Sequence, residues 1–171
     1  MIKIFLDIEN TVIDSLFDMN FMDENCNSIR LFILGCGNDL LSVNFFTWGW
    51  KTREEIKPEV VKRMFDRLCV PEDKRGEVFV KNDSVDLMIK QGFLHEEDRE
   101  AALEPGAMMN EFGLTKMECF HRMAERFIPG TKAILIDDLV DDFNAERTED
   151  SKVIMMINPN HFKYDGGCND T

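Results

Sequence analysis

Four short apolar runs constrain this fold more than any other feature of the sequence. They are Ile2–Leu6, Ile29–Leu34, Ala133–Ile136 and Val153–Ile157, and each ends at a charge or a turn signal. Short runs rich in Ile, Val and Phe are typical of strands that are buried on both faces of a parallel sheet. The weaker run Glu77–Val80 adds a fifth candidate. The sequence therefore predicts a mainly parallel sheet of five strands.

Helical periodicity fills the segments between these runs. It predicts helices over Arg53–Leu68 (restarting at Pro58), Asn82–Gln91, Glu96–Leu103 and Thr115–Phe127. In the last of these, Thr115 is the expected N-cap, because Glu118 follows at the capping-box spacing. Strands that alternate with helices indicate an α/β protein with helices on both faces of the sheet. We therefore expect a three-layer, Rossmann-like fold.

Length and composition favour one globular domain. The chain has 171 residues, of which 44% are hydrophobic, and a chain of this length can bury a core without disulfides or metals. We expect residues 1–163 to form a single domain and the polar, glycine-containing residues 164–171 to form a flexible tail.

The charge balance narrows the possible partners. The 33 acidic residues outnumber the 20 basic ones, so the formal net charge is −13. Binding of bare duplex nucleic acid depends on a basic face, and an anionic membrane surface also attracts basic residues. Both partners are therefore disfavoured. A small phosphorylated substrate or a nucleotide is still compatible, because a divalent metal can invert the local charge.

The cysteines and the N-terminal sequence favour a cytoplasmic protein. The five cysteines have neither a paired spacing nor a zinc-site spacing, which is typical of free thiols in a reducing compartment. The first apolar run is interrupted by Lys3 and stops at Asp7, so it does not resemble a signal peptide. No apolar stretch approaches the roughly 20 residues of a membrane-spanning helix.

Acidic residues follow two of the predicted strands directly. Asp7 comes after the first strand, and Asp137 and Asp138 come after the strand Ala133–Ile136. The carboxyl ends of parallel strands share one edge of the sheet, where ligands bind, so these side chains are expected to converge. Acids after strands are also common as turn residues and helix caps. Because two clusters occur, we favour a site for a hard cation such as Mg²⁺.

These segments resemble the motifs of the haloacid-dehalogenase (HAD) phosphatase superfamily. The string Ile4–Val12 is similar to motif I, an apolar strand followed by Asp-x-Asp-x-Thr/Val, and Ile134–Asp142 is similar to motif IV. Between them, Gly113–Phe120 resembles motif III, in which a lysine near the start of a helix precedes the motif IV strand. The resemblance spans Met1 to about Pro159 and implies a HAD-like fold.

The resemblance also implies catalytic and metal-binding roles. Asp7 would be the nucleophile that forms an aspartyl-phosphate, and it would also bind Mg²⁺. The backbone carbonyl of Glu9 and the carboxylate of Asp138 would be further metal ligands. Asp142 would bind the metal or its waters, or would position Lys116. Lys116 would offset the negative charge of Asp7 and of the phosphoryl group, and would thus contact the substrate.

Two departures from the motifs affect the expected activity. The usual second acid of motif I is Asp, but here it is Glu9, whose longer side chain moves the proposed general acid. Motif II normally ends a strand with Ser or Thr, but no hydroxyl follows the predicted strand Ile29–Leu34. Instead, the residues there are Gly35, Cys36, Gly37 and Asn38, which we expect either to bind phosphate through N–H groups or to form a plain turn.

The resemblance also raises the question of a cap over the site. Only residues 82–112 offer room for a small helical cover, so the site is expected to be open. An open site suits a large substrate, or a small one whose site is completed by an oligomeric partner. The aromatic segment Phe45–Trp50 could stack on a planar substrate group or pack in the core. The oligomeric state is left open.

The leading hypothesis is therefore a Mg²⁺-dependent HAD-type phosphatase, a hydrolase that acts on a phosphomonoester such as a nucleotide. The alternative is a HAD-fold binding or inhibitor protein with little or no turnover, which Glu9 and the absent motif II hydroxyl favour. A receiver-like phosphoryl-transfer domain is a third hypothesis, although the positions of Lys116, Asp138 and Asp142 fit it less well.

Overall fold

A single six-stranded sheet organises the molecule. The computed structural model describes residues 1–141 and 144–162. The strand order is β3-β2-β1-β4-β6-β5, in which β5 is antiparallel to β6 and all other neighbours are parallel. The strands are β1 (Ile2–Leu6), β2 (Leu40–Phe46), β3 (Arg75–Phe79), β4 (Lys132–Ile136), β5 (Asn144–Arg147) and β6 (Val153–Ile157).

Helices cover both faces of this sheet. They are α1 (Asp23–Cys36), α2 (Pro58–Arg67), α3 (Lys81–Lys90), α4 (Arg99–Leu103), α5 (Ala107–Asn110) and α6 (Lys116–Ala124). Successive residues of β1 point to opposite faces. Ile4 and Leu6 pack in one core cluster with residues of α1 and α2, whereas Phe5 packs in a second cluster with residues of α3 and α6.

The α/β class and most of the predicted elements are confirmed. The strands Ile2–Leu6 and Val153–Ile157 have the predicted bounds, and the predicted helix over Arg53–Leu68 does restart at Pro58. Proline suits that first helical position, because its missing N–H would have no partner inside the helix.

The prediction of a strand over Ile29–Leu34 is wrong, because these residues belong to helix α1. The buried side chains of this helix include Cys26, Ile29 and Ile33, and their spacing of three and four residues is that of one helix face. Leu31 and Leu34 are more than half exposed. The continuous apolar run was mistaken for a strand because its helical period was overlooked.

The predicted number of five strands is also wrong, since the sheet has six. Strand β2 was missed because it contains polar residues, among which Asn44 is buried. The Asn44 side chain donates a hydrogen bond to the Ile4 carbonyl and accepts one from the Glu77 N–H, so it links three strands. Strand β5 was missed because all four of its residues are exposed and show no hydrophobic alternation.

The predicted cover lies within residues 82–112, which contain most of α3 together with α4 and α5. Ala102 and Met108 are buried in the same core cluster as Phe5, so these helices pack against the sheet's second face. The predicted tail, residues 164–171, lies outside the described residues.

The four cysteines in the described part of the chain are free thiols, as predicted. None of the helices that the structure describes is long and apolar enough to cross a membrane.

Candidate active site

The pairing of β1 with β4 brings two acidic residues together at one edge of the sheet. Leu6 is paired in register with Ile136, so the next residues, Asp7 and Asp137, lie side by side where both strands end. The Asp7 N–H donates a 2.9 Å hydrogen bond to the Ile136 carbonyl, which extends the ladder by one residue. We call this edge, where the parallel strands end, the carboxyl edge, and the opposite one the amino edge.

Three carboxylates converge at the carboxyl edge. One oxygen each from Asp7, Asp137 and Asp138 lies within 4.8 Å of the other two. Asp7 and Asp137 are buried, whereas Asp138 is half-buried. We call these three residues the acidic triad. The sequence assigned Asp7 and Asp138 to a metal site but did not assign Asp137, although its position directly after β4 was a sufficient signal.

Lys116 inserts its ammonium group between two members of the acidic triad. It is the first residue of α6, whose N-cap Thr115 accepts a 3.1 Å hydrogen bond from the Glu118 N–H, as predicted. Its Nζ pairs with the Asp7 carboxylate and lies 2.7 Å from Oδ2 of Asp137. A cation at a helix N-terminus opposes the helix dipole, so these two carboxylates must offset an unfavourable position as well as burial.

Burial perturbs the titration of this cluster. It raises the pKa of Asp7 to about 7, with Lys116 opposing the rise and Asp137 adding to it. Burial and the charge of Asp137 also raise the pKa of Asp138. Burial would lower the pKa of Lys116, but the two carboxylates outweigh that effect and raise it. Three acids therefore share one lysine, and a further positive charge would favour their ionised forms.

The donor set of the acidic triad fits a hard divalent cation. All of its side-chain ligands are carboxylate oxygens, which such ions prefer. Apart from the ion pair with Lys116, Oδ2 of Asp137 is buried without a hydrogen-bond donor in the part of the chain that the structure describes. These features suit Mg²⁺ and do not distinguish it from other hard cations. Asp142, the remaining predicted carboxylate ligand, lies outside the described residues.

Hydrogen bonds from three segments hold the acidic triad in place. The buried Thr11 hydroxyl accepts a 3.2 Å bond from the Asp138 N–H, which joins the loop after β1 to the loop after β4. Oδ1 of Asp137 accepts a 2.8 Å bond from the Leu139 N–H. The Asn158 amide donates to the Asp138 carbonyl at 3.0 Å. The site is thus held by three bonds, each of which joins a side chain to a backbone group.

Glu9 lies in the turn that follows Asp7. The turn places Asn10 in the left-handed region with a φ of 58°, which asparagine tolerates better than most residues. Oε2 of the half-buried Glu9 accepts a 3.2 Å hydrogen bond from the Leu16 N–H, and its carboxylate does not join the acidic triad. A Cβ atom on Gly49 would collide with Oε1 of Glu9 and with the Leu16 side chain. Glycine is therefore required there for Glu9 to keep its position.

A hydroxyl-bearing residue, Thr47, lies at the carboxyl edge directly after β2. The pairing of Phe45 with Leu6 places it beyond the level of Asp7. Thr47 is buried, and its hydroxyl oxygen accepts a 3.0 Å bond from the Gly49 N–H. That contact leaves the hydroxyl proton free to be donated. The signal was the hydroxyl after Phe45-Phe46, which was overlooked once the second strand had been placed too early.

The residues that the sequence assigned to phosphate binding lie at the other edge. Gly35, Cys36, Gly37 and Asn38 form the end of α1 and the turn that leads into β2. Leu40, at the start of β2, pairs with Ile2 at the start of β1. The predicted turn is therefore at the amino edge, a whole strand length from Asp7. The prediction was wrong about this location because it rested on the misassigned strand Ile29–Leu34.

Comparison of the chain with protein families, curated proteins and solved structures found no match.

Proposed function

We propose that the protein is a Mg²⁺-dependent phosphatase of the HAD type, with a HAD-like, three-layer Rossmann-like fold, that hydrolyses a phosphomonoester. One observation carries the proposal: Asp7 and Lys116 form a buried ion pair beside Asp137 and Asp138, at the edge where β1 and β4 end. A carboxylate, a paired ammonium group and a cation site are the groups that nucleophilic phosphoryl transfer requires.

The proposed reaction has two displacements at phosphorus. In the first, an Asp7 oxygen bonds to phosphorus, the ester P–O bond breaks, and Glu9 gives its proton to the leaving oxygen. In the second, Glu9 takes a proton from water, whose oxygen bonds to phosphorus, and the bond to Asp7 breaks. Asp7 and Glu9 thereby return to their starting forms, and inorganic phosphate and an alcohol are released.

The groups around Asp7 reduce the repulsion between its carboxylate and the phosphoryl group of the substrate. Lys116 offsets the charge of Asp7. The Thr47 hydroxyl, which follows β2 at the same edge, would donate a hydrogen bond to a phosphoryl oxygen. The acidic triad would hold the metal with the Glu9 carbonyl and Asp142, and the bound ion would supply neutralisation of phosphoryl charge.

A phosphate-release assay tests this function. The purified protein is incubated with a panel of phosphomonoesters, including nucleoside monophosphates, with Mg²⁺ or with EDTA. We expect release that requires both Mg²⁺ and Asp7, so that Asp7→Asn reduces it to background. Activity that survives in Asp7→Asn, or no release from any ester, would contradict the proposal.

One observation favours the alternative of a binding or inhibitor protein with little turnover. The proposed general acid, Glu9, already accepts a hydrogen bond from Leu16, and its carboxylate lies outside the acidic triad. In that case the protein would bind Mg²⁺ and a phosphate ester without releasing phosphate. Calorimetric titration of the ester into the Mg²⁺-loaded protein, run beside the release assay, distinguishes the two functions.

A further inference from the structure

A cavity of about 590 Å³ opens beside Lys116. It lies on the α6 side of the carboxyl edge, and Lys116 is common to the cavity wall and to the ion pair with Asp7. A volume of this size is within the range of pockets that bind small molecules. Most of its wall is apolar and comprises Trp48, Met109, Met117, Leu139, Val140 and Met156.

Two of these wall residues are held by bonds that connect them to the site. The Trp48 indole N–H donates a 3.0 Å bond to the Ser84 hydroxyl, which fixes the ring just after Thr47. The Leu139 N–H bonds to Asp137, so the backbone of this part of the wall is joined to the acidic triad. The apolar wall therefore adjoins the groups that are proposed to bind the phosphoryl group.

The same wall leaves large apolar side chains open to solvent. Met109 is 59% exposed and Leu139 is 61% exposed. Exposed apolar groups that converge on one cavity next to reactive polar groups are typical of a ligand site. A substrate group that covers them would gain the free energy of their burial.

The charges around the cavity disfavour an anionic substrate group. In the described part of its wall, Lys116 is the only cation, and it already pairs with two carboxylates; Asp141 adds a negative charge. A neighbouring cavity of about 420 Å³ shares Met117 and Met156 with the first. Its two basic side chains are also paired, Arg122 with Glu118 at 3.1 Å and His121 with Glu146 at 2.9 Å.

We propose that the substrate is a phosphomonoester whose leaving group is an uncharged, apolar alcohol that binds in this cavity, against Trp48 and Leu139. This inference rests on the proposed phosphatase function and specifies its substrate class. Esters with a second phosphate or a carboxylate on the leaving group are poor substrates, because no free cation of the described wall meets that charge.

Three alkyl phosphates with closely matched leaving-group chemistry test the substrate class. These are benzyl phosphate, ethyl phosphate and 4-carboxybenzyl phosphate, each assayed for kcat/KM with the Mg²⁺-loaded protein. We expect benzyl phosphate to exceed ethyl phosphate by about tenfold or more, since an apolar ring becomes buried. It should exceed 4-carboxybenzyl phosphate by a similar factor. Equal values for the three esters would overturn the inference and leave the phosphatase function standing.

A charge introduced into the wall reverses the expected selectivity. Met109→Lys places a cation at an exposed wall position, so it should raise kcat/KM for 4-carboxybenzyl phosphate and lower it for benzyl phosphate. Met109→Gln, of similar size and uncharged, should not raise the value for the carboxylated ester. Ile128→Lys is the matched control outside the cavity, because Ile128 is also 59% exposed. An Ile128→Lys effect equal to that of Met109→Lys would contradict the assignment.

Binding separates this inference from the proposed chemistry. Calorimetry measures the affinity of the Asp7→Asn variant for the same three esters, so it does not depend on turnover. If Asp7→Asn binds benzyl phosphate most tightly while the unsubstituted protein releases no phosphate from any ester, the cavity assignment is supported and the phosphatase function is overturned. Absence of that preference in binding would overturn the cavity assignment, whether or not phosphate is released.

Discussion

The two turns that flank β2 lie at opposite edges of the same sheet and differ in their surroundings. The turn before the strand, residues 35–38, has two glycines and an amide, and it lies at the amino edge among exposed or half-buried residues. The turn after it begins with the buried Thr47 and contacts Glu9 through Gly49. The difference shows that a glycine-rich turn predicts an anion site only when it is known to follow a strand and not to precede one, because ligands bind at the carboxyl ends of parallel strands.

The largest expected effect comes from the same substitution made at each edge. Asp7→Asn removes the proposed nucleophile, so we expect kcat for phosphate release to fall by at least about 10³-fold. Asp39→Asn, at an exposed position of the amino edge, should leave kcat within about twofold, in the range of ordinary surface substitutions. Equal losses in the two variants would show that the edges do not differ functionally.

The hydroxyl after β2 should matter more than the amide before it. Thr47→Val keeps the shape of the side chain but removes its hydroxyl, which is both the proposed donor and the acceptor of the Gly49 N–H. We expect kcat to fall by about 100-fold, as when one transition-state donor is lost. Asn38→Ala removes an exposed amide at the amino edge and should leave kcat unchanged. Steady-state kinetics with one ester compare the two variants. If Asn38→Ala lowered kcat more than Thr47→Val did, the result would favour phosphate binding by residues 35–38.

Two glycine-to-alanine substitutions compare the turns sterically. In Gly49→Ala the new Cβ collides with Glu9 and Leu16, so we expect kcat to fall by up to about 100-fold through misplacement of the general acid. In Gly35→Ala the new Cβ meets nothing within 4 Å, and the position is helical. Alanine there should leave kcat unchanged and stabilise the fold by about 0.5–1 kcal/mol. Urea denaturation measures the second effect, and a destabilised Gly35→Ala would contradict it.

The last prediction concerns stability and not turnover: a pH dependence of the free energy of unfolding that originates at the carboxyl edge. Burial raises the pKa of Asp7 to about 7 in the folded protein, whereas its ordinary value, expected in the unfolded chain, is 3.8. Between these values the folded state binds more protons, so the free energy of unfolding of the cation-free protein falls as pH rises. Asp7→Asn should flatten this fall, whereas Asp39→Asn should not. Urea titrations across that pH range measure the free energy of unfolding. If its fall with pH is unchanged in Asp7→Asn, groups other than Asp7 cause the pH dependence.

The sequence predicted the elements with strong apolar patterns and failed where polar groups carry the structure. Strands β1, β4 and β6 are predominantly apolar, so their positions and the convergence of Asp7 with Asp138 followed directly. Strand β2 was not predicted because it contains the buried polar residue Asn44. The hydrogen bonds of this side chain go to two other strands, and such long-range contacts are not visible in the hydrophobic pattern of the sequence.

The error at β2 carried over to the site. The apolar run Ile29–Leu34 is a helix and not the second strand, so the predicted phosphate-binding turn lies at the amino edge. The residue that follows the true second strand is Thr47, within the segment predicted to stack on the substrate or to pack in the core. The place of Asp137 directly after β4 can be read from the sequence, but its ion pair cannot, since Lys116 lies 21 positions earlier in the chain and reaches it at 2.7 Å.

The central claim is that Asp7 forms a covalent bond to phosphorus, and mass spectrometry of the quenched enzyme tests it most directly. The Mg²⁺-loaded protein is mixed with the ester that it hydrolyses fastest, stopped with acid during turnover and digested. We predict that the peptide containing Asp7 gains the mass of one phosphoryl group, and that Asp7→Asn gains none. A phosphoryl group found on another peptide during turnover would contradict the account.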